Sequence, residues 1–298
     1  MASDSILRVR NLTKKYGSLT ALSQLDLNVH RGNIYGLLGP NGSGKTTTLS
    51  IVLGTLRQTK GSYYWFDNKP DHQSRLRIGS LIEDPAFYPY LTLCDNLKIL
   101  ARIKGVPDDN INQVLGTTNL LKRKYSRFKH LSSGLKQRLA IGATLLGNPD
   151  VLVLDEPTKS LDPEGFSDLR TIIQEEARKG KTIILASHIL DEVEKVCTHV
   201  GILKSGELVM EGKVEDILSG KQVVYLSVED PVKAREALDE CDLIEKYEQE
   251  RTEDFKVLLK KNTKTADLNQ YLFSKEVVVS RLIKQKNTLE SEFLQLMK

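Results

Sequence analysis

Short apolar runs alternate with polar residues and glycines over the first part of the chain. The runs at residues 6–9, 25–29 and 34–38 have the length and pattern of β-strands. Two further strand-like runs lie around residues 63–66 and 78–82. This pattern predicts an antiparallel β-subdomain that leads into a larger core.

The spacing of apolar residues becomes helical beyond residue 92. Thr92, with Asp95 three residues later, is typical of a helix start, and helices are predicted at residues 95–104, 108–116 and 134–147. Strand-like runs then return, separated by helical stretches at residues 163–178 and 190–197; the runs occupy residues 151–154, 182–186 and 200–203. Strands that alternate with helices predict a parallel sheet covered by helices on its faces.

The pattern changes again near residue 220. Strands at residues 223–228, 255–259 and 277–283 are interleaved with helices at residues 231–239, 266–273 and 289–297. We therefore expect two domains: residues 1–218, with a helical subdomain at about 85–147, and a small C-terminal α+β domain at residues 221–298. The predicted fold class is α/β for the first domain.

Composition and charge exclude few classes of protein function. The chain has 298 residues, 28% of them charged, and a formal net charge of +4, which suits a soluble globular protein and by itself does not argue for nucleic-acid binding. Three widely spaced cysteines, Cys94, Cys197 and Cys241, favour a reducing compartment. We expect no secretory signal, and no apolar run approaches the roughly 18 residues that span a bilayer. If the protein works at a membrane, another chain must anchor it.

The most specific motif is a phosphate-binding loop. Residues 39–47 fit the pattern G-x-x-x-x-G-K-[ST] and lie between an apolar run and a predicted helix, the context that this motif requires. Backbone N–H groups and the helix dipole favour an anion there, a lysine reaches the β- and γ-phosphates, and a threonine hydroxyl suits Mg²⁺. The candidate nucleotide-binding residues are Gly39, Pro40, Asn41, Gly42, Ser43, Gly44, Lys45, Thr46 and Thr47.

Two acids and a histidine follow predicted core strands. Asp155 and Glu156 end the run at residues 151–154, and His188 follows the run at residues 182–186. Ligands in α/β folds bind at this end of the strands. Asp155 suits Mg²⁺, Glu156 suits a general base, and His188 suits a contact to the γ-phosphate or to the attacking water.

A possible second anion site lies in the helical subdomain. Ser132, Ser133 and Gly134 stand at the start of a predicted helix that continues through Gln137. On its own this is an ordinary capped helix, and its significance comes from the motifs around it.

With these elements in this order, the chain resembles the nucleotide-binding subunits of ABC transporters over about residues 5–218. The resemblance implies a P-loop ATPase fold, ATP and Mg²⁺ as ligands, and adenine stacking by Tyr16. It implies that Ser132, Ser133, Gly134 and Gln137 form the family signature, that residues 160–162 cross to a partner subunit, and that His188 is the switch histidine. Lys45, Glu156 and His188 are then the catalytic residues, and Thr46 and Asp155 the magnesium ligands.

Departures from the family pattern indicate a branch. Glu83 stands where the family usually has glutamine, and we expect it to approach Mg²⁺ or its waters. Ser133 replaces a glycine of the signature, and a small C-terminal domain follows the core. These features resemble the exporters for bacitracin and lantibiotic self-protection.

The resemblance implies a mechanism and partners. Two nucleotide-binding domains pair head to tail around ATP, and hydrolysis reopens the pair and drives a multi-span membrane permease. We expect a second copy or a homologous ATPase subunit as partner, no nucleic acid, and a cytoplasmic location on the inner face of the membrane. Two alternatives are a soluble ABC-type ATPase acting on ribosomes or DNA, and a binding module that has lost hydrolysis.

Overall fold

The chain consists of two compact units, Met1–Lys213 and Val214–Lys298. The computed structural model describes residues 4–82, 86–159, 161–218, 223–260, 263–284 and 288–297. The sequence analysis placed the end of the first domain at residue 218, which includes the helix Val214–Leu218. In the structure this helix contacts Leu289–Met297, and both belong to the second unit.

The first unit combines two sheets with helices. Its strands are β1 (Ser5–Tyr16), β2 (Leu19–His30), β3 (Ile34–Leu38), β4 (Lys60–Trp65), β5 (Ile78–Leu81), β6 (Val151–Asp155), β7 (Thr182–Ser187), β8 (His199–Lys204) and β9 (Glu207–Lys213). Its helices are α1 (Lys45–Val52), α2 (His72–Leu76), α3 (Leu93–Lys104), α4 (Ile111–Thr117), α5 (Ser133–Thr144), α6 (Pro163–Arg178) and α7 (Leu190–Val196). Short 3₁₀ turns occupy Asp108–Asn110, Leu121–Arg123 and Phe128–His130.

The antiparallel β-subdomain has the strand order β2–β1–β4. Its buried side chains form one core cluster with side chains of the parallel sheet, and the fully buried Trp65 and Tyr35 are the largest of them. The indole N–H of Trp65 donates to the carbonyl oxygen of Val52 at 2.7 Å, so this buried polar group is paired. The β-subdomain is therefore packed directly against the sheet that carries the phosphate loop.

The second sheet has the strand order β5–β6–β7–β3–β8–β9. Its first five strands are parallel, and β9 pairs antiparallel with β8. All residues of β3, β6 and β7 are buried, as expected for strands covered on both faces. These three neighbours end at Leu38, Asp155 and Ser187, and their carboxyl ends form one edge of the sheet.

The helical subdomain is built on α3, α4 and α5. Thr92 caps α3 by accepting a hydrogen bond from the N–H of Asp95 at 3.1 Å, as the sequence predicted. Gly79 of β5 lies so close to α5 that an added Cβ would stand 2.1 Å from the carbonyl oxygen of Thr144. A glycine at this position thus permits the close approach of α5 to the sheet.

The second unit is a small α+β domain. Its elements are α8 (Val214–Leu218), β10 (Val223–Val228), α9 (Pro231–Asp239), β11 (Ile244–Gln249), β12 (Asp254–Leu259), α10 (Thr265–Ser274), β13 (Val279–Lys284) and α11 (Leu289–Met297). The strands form an antiparallel sheet in the order β11–β12–β10–β13. Alternate residues of β10 and β12 are buried, and they pack in a core with Leu238, Leu268 and Leu272.

The sequence analysis missed two strands, β9 and β11. No residue of β9 is buried, and Ile244 is the only buried residue of β11. Both strands lie at sheet edges, where polar residues are common and the apolar signal is weak. Backbone pairing with an adjacent strand, and not apolar periodicity, defines these two elements.

Candidate functional site

The candidate site lies at the carboxyl edge of the parallel sheet. In the register of the sheet, Asp155 pairs with Ala186, and Leu38 pairs with Ser187. The phosphate loop after β3, the acids that end β6 and the histidine after β7 are therefore adjacent. The strand order β6–β7–β3 brings these segments together, and the sequence analysis did not predict this order.

Three glycines shape the loop from Gly39 to Gly44. Gly39, Gly42 and Gly44 have φ values of 153°, 80° and 106°, which a residue with a Cβ rarely adopts. Nothing lies within 4 Å of the position that a Cβ on Gly42 would occupy. Gly44 precedes α1 without a side-chain cap, so the first N–H groups of that helix are left for an anion.

Lys45 lies beneath the loop and is only 6% exposed. Its Nζ donates to the carbonyl oxygen of Gly39 at 2.8 Å and lies 3.8 Å from Oε1 of Glu156. Burial lowers the pKa of Lys45 from its ordinary value, and the carboxylates of Glu156 and Asp155 oppose this shift. The amine is thus held in the loop by backbone carbonyls and by the carboxylate of Glu156.

Thr46 and Asp155 form a direct pair. The Thr46 hydroxyl donates to Oδ2 of Asp155 at 2.7 Å, across the space between β3 and β6. Asp155 is 9% exposed. A hydroxyl and a carboxylate at hydrogen-bond distance present hard oxygen atoms, the ligand type that Mg²⁺ prefers.

Glu156 and His188 form the second pair. Nδ1 of His188 lies 2.9 Å from Oε2 of Glu156, and because an ionised carboxylate only accepts, Nδ1 carries the proton and donates. Glu156 has φ 44°, a left-handed conformation that is rare for a residue with a side chain. Its N–H donates to the carbonyl oxygen of Ala186 at 2.9 Å, which fixes this sharp turn after β6.

A cavity of about 430 Å³ connects these groups. Its lining residues are Asn41, Thr46, Gln137, Asp155, Glu156, Thr158, Lys159, His188 and Ile189. The sequence analysis did not propose Thr158 as a site residue. Its Oγ1 is buried and has no hydrogen-bond partner among the described residues, and the only signal in the sequence was its position two residues after Glu156. Ser43 Oγ, in the loop itself, is likewise buried and unpaired within the described part of the chain.

The signature residues divide between two places. Gln137 lines the cavity, and its Nε2 donates to the carbonyl oxygen of Pro157 at 2.8 Å. Ser132 caps α5 by accepting a weak hydrogen bond from the N–H of Leu135 at 3.4 Å. Ser132 and Ser133 are exposed, Gly134 is partly buried, and none of the three lines the cavity. The structure thus does not bring these three residues to the phosphate loop of the same chain.

The remaining candidates lie apart from the cavity. Tyr16 ends β1 and is 48% exposed, with the Lys14 amine 4.7 Å from its ring centroid. Glu83 and Ser160 lie outside the described residues. In the described part of the chain, no cluster of His, Cys, Asp and Glu side chains has the arrangement of a metal site built from protein ligands alone. Among the described helices, none has the length and apolarity needed to cross a membrane.

Fold and site together define a phosphate-loop ATPase with an inserted helical subdomain. Comparison with known proteins identifies the family. The ABC transporter family profile matches residues 22–159. The lantibiotic transport ATP-binding protein SrtF of Streptococcus pyogenes is 38% identical over 209 residues, which cover 69% of this chain and 90% of that protein. The bacitracin transport ATP-binding protein BcrA of Bacillus licheniformis is 42% identical over 212 residues, which cover 70% and 69% of the two chains.

A solved structure gives the same result. The ATP-binding cassette MJ0796, described as a dimer in a post-hydrolysis state with ADP and Pi, superposes with a TM-score of 0.63 at 26% identity. The match covers 70% of this chain and 98% of that one. The chain therefore belongs to the ATP-binding subunits of ABC transporters, in the branch of the bacitracin and lantibiotic transport proteins. It is an ATPase, and the sequence-based prediction of family, fold and enzyme class is confirmed.

Proposed function

We propose that this chain is the motor subunit of an ABC exporter, with one ATP site built on its phosphate loop and completed by a second subunit. The observation that carries the proposal is the meeting of two side-chain pairs, Thr46–Asp155 and Glu156–His188, at one cavity beside Lys45. The first pair joins α1 to the end of β6, and the second joins the residue after β6 to the residue after β7. Their convergence supports a phosphoryl-transfer site more strongly than any one of the motifs.

The loop residues bind the triphosphate. The open position at Gly42 lets the backbone approach a phosphate, and the unpaired Ser43 hydroxyl supplies a polar atom that has no protein partner among the described residues. Lys45 exchanges its contacts with Gly39 and Glu156 for the β- and γ-phosphates when ATP binds. Asn41 lines the same cavity and is a further candidate contact to the phosphates.

The residues present also fit a magnesium ion. Thr46 Oγ1 and Asp155 Oδ2 are already 2.7 Å apart, and both are oxygen ligands of the kind that Mg²⁺ takes together with phosphate oxygens and water. Mg²⁺, when bound, neutralises charge on the β- and γ-phosphates. Glu83 remains a further candidate ligand on sequence grounds alone.

Glu156 acts as the general base for the attacking water. Its carboxylate is 24% exposed, so it is accessible from the cavity while Lys45 lies on one side and His188 on the other. The Nδ1–H of His188 orients the carboxylate, and its Nε2 is left to accept a hydrogen bond from the attacking water or, when the imidazole is doubly protonated, to donate to the γ-phosphate.

The exposed signature residues serve the site of the partner subunit. Ser132, Ser133 and the start of α5 are exposed and lie outside the cavity of their own chain. A helix N-terminus with serine hydroxyls is suited to the γ-phosphate of a nucleotide bound by the other subunit. A two-fold pair therefore makes two equivalent sites. Tyr16, exposed at the end of β1, stacks on the adenine ring.

A membrane permease is the second partner. The segment that follows β5 has two exposed aromatic side chains, Tyr88 and Tyr90, at 47% and 64% exposure. Exposed aromatic residues that lie together favour a protein interface. The names of SrtF and BcrA support transport of a peptide antibiotic or a related toxin. We propose that the direction of transport is export and that this subunit lies at the cytoplasmic face of the membrane.

Nucleotide-dependent pairing tests the proposal. The Glu156→Gln variant is expected to bind ATP and to hydrolyse it about 10²–10⁴-fold more slowly than the wild type, so we expect it to sediment as a dimer with ATP and as a monomer without it. Adding Ser133→Arg places a bulky cation at the proposed contact and is expected to abolish the dimer while leaving ATP binding intact. An ATP-independent oligomeric state in both variants would contradict the head-to-tail site.

A further inference from the structure

One segment of the helical subdomain has an unusual charge. Residues 111–149 contain no aspartate or glutamate, but they contain seven basic residues: Lys122, Arg123, Lys124, Arg127, Lys129, Lys136 and Arg138. The whole chain has 43 basic and 39 acidic residues, so the rest of it has 36 basic residues against 39 acidic ones and is net negative. The formal net charge of +4 thus arises entirely from this segment.

Four of these basic residues face solvent without a counter-charge. Lys122, Arg123, Arg127 and Lys129 are exposed, and within the described part of the chain no carboxylate lies at salt-bridge distance from them. By contrast, Arg138 is paired with Asp168 at 2.5 Å, which ties α5 to α6. The exposed basic residues without a counter-charge therefore lie in the loop between α4 and α5. On the signature helix, Lys136 is partly buried, and its amine lies 5.3 Å from the ring centroid of Phe128.

The same loop exposes an aromatic ring. Tyr125, in the middle of the basic residues, is 74% exposed, and the Lys124 amine lies 4.8 Å from its ring centroid. We call Lys122, Arg123, Tyr125, Arg127 and Lys129 the basic–tyrosine loop. A face that only contacts water needs nothing besides charge. An exposed tyrosine among basic residues instead indicates a binding partner that has both an anionic and an apolar part.

Backbone hydrogen bonds hold this loop beside the exposed tyrosines that follow β5. The N–H of Phe128 donates to Leu91 O at 3.0 Å, and the N–H of Lys129 donates to Pro89 O at 2.9 Å. The rings of Phe87 and Phe128 pack at a centroid distance of 5.0 Å. The basic–tyrosine loop is thus continuous with the Tyr88–Tyr90 segment, the proposed permease contact.

We propose that the basic–tyrosine loop binds the anionic phospholipid headgroups of the membrane beside the permease. Basic side chains near an anionic bilayer surface gain about 1 kcal/mol each, and tyrosine rings settle at the headgroup level. The proposal rests on the permease contact proposed above, because that contact brings this side of the subunit to the membrane. The lipid interaction itself needs neither ATP nor the permease.

Vesicle flotation with the purified full chain tests the lipid contact directly. The probe is a vesicle of phosphatidylcholine with phosphatidylglycerol, compared with phosphatidylcholine alone. The test variant carries Lys122→Gln, Arg123→Gln, Arg127→Gln and Lys129→Gln. A matched control carries Arg31→Gln, Lys60→Gln, Lys69→Gln and Arg178→Gln, which are also exposed, lie in the same unit and remove the same charge.

We expect the wild type to float with the anionic vesicles and not with phosphatidylcholine alone. The basic–tyrosine loop variant is expected to lose at least about a hundredfold in partitioning, and the control variant less than about threefold. Tyr125→Ser alone is expected to weaken binding by a similar factor at low and at high salt, whereas the loss in the basic–tyrosine loop variant is expected to shrink as salt rises, because salt screens only the charged contacts. ATP hydrolysis by the isolated subunit is expected to be the same in all three variants, which separates a failure of this proposal from a failure of the ATPase site.

Several outcomes would overturn the lipid contact. Equal losses in the loop variant and the control would mean that binding follows net charge alone. Failure of the wild type to float, together with loss of permease co-purification in the loop variant, would make the loop a protein contact. Tighter binding of the wild type to single-stranded RNA than to anionic vesicles at the same salt, lost in the loop variant, would make it a nucleic-acid surface.

Discussion

Replacing Glu156 by glutamine is expected to change ATP binding and ATP turnover in opposite directions. The substitution keeps the shape of the side chain and removes its negative charge. In the structure that charge lies 3.8 Å from the Lys45 amine and 2.9 Å from Nδ1 of His188. In the proposed mechanism the side chain thus serves both as base and as a competitor of ATP for Lys45.

The magnitudes follow from these distances. At 3.8 Å and an effective dielectric constant of about 20, the Lys45–Glu156 attraction is about 4 kcal/mol before solvation is counted. The carboxylate is 24% exposed, so screening and desolvation reduce the net value to about 1 kcal/mol. Freeing Lys45 from this contact is therefore expected to tighten ATP binding about fivefold. Losing the general base is expected to slow turnover by about 10²–10⁴-fold.

Two assays separate the effects. Equilibrium binding of a fluorescent ATP analogue without Mg²⁺ reports the affinity, and phosphate release with Mg²⁺ reports the turnover. Glu175→Gln, an exposed glutamate of α6, is the matched control and is expected to change neither quantity. Turnover within about tenfold of the wild type would refute the role of Glu156 as base. Weaker ATP binding would refute the competition for Lys45.

Three further predictions concern other parts of the first unit. Thr46→Val removes the hydroxyl that donates to Asp155. The variant is expected to need an Mg²⁺ concentration about tenfold higher or more for half-maximal hydrolysis, and its ATP binding without metal is expected to be unchanged. An unchanged Mg²⁺ titration would contradict the metal site. Gly79→Ala is expected to destabilise the protein by about 1–3 kcal/mol in urea unfolding, because the new Cβ meets Thr144 O at 2.1 Å; wild-type stability would show that α5 moves away freely. Burial lowers the pKa of Lys104 from 10.5 to about 8, so between these pH values the unfolded chain binds more protons and stability rises with pH. Lys104→Met is expected to abolish that rise in urea midpoints measured across the window, and a rise that persists in the variant would assign it to other groups.

The sequence predicted the parts of the site that are local in the chain. The phosphate loop, the acids after β6 and the histidine after β7 each follow a buried strand, and an apolar run followed by a charged residue is visible without a structure. The helix start at Thr92 was predicted for the same reason, since its cap involves residues three positions apart.

The contacts between distant segments were not predictable in the same way. The hydrogen bond from Gln137 to Pro157 O and the pairing of Lys45 with Glu156 depend on strand order and on the packing of α5. The edge strands β9 and β11 were missed because they are defined by backbone pairing, which constrains the residue types only weakly. The helix Val214–Leu218 belongs to the second unit through its contact with the last helix, a long-range contact that no local pattern indicates.

Isolation of the intact complex tests the central claim most directly. The tagged chain is purified from detergent-solubilised membranes of its source, its companions are identified, and ATP hydrolysis by the complex is measured. We expect a multi-span membrane protein in stoichiometric amount and hydrolysis that Glu156→Gln abolishes. Recovery of the chain without a membrane protein, or with ribosomes or DNA, under conditions that preserve membrane complexes would contradict its role as the motor of a transporter.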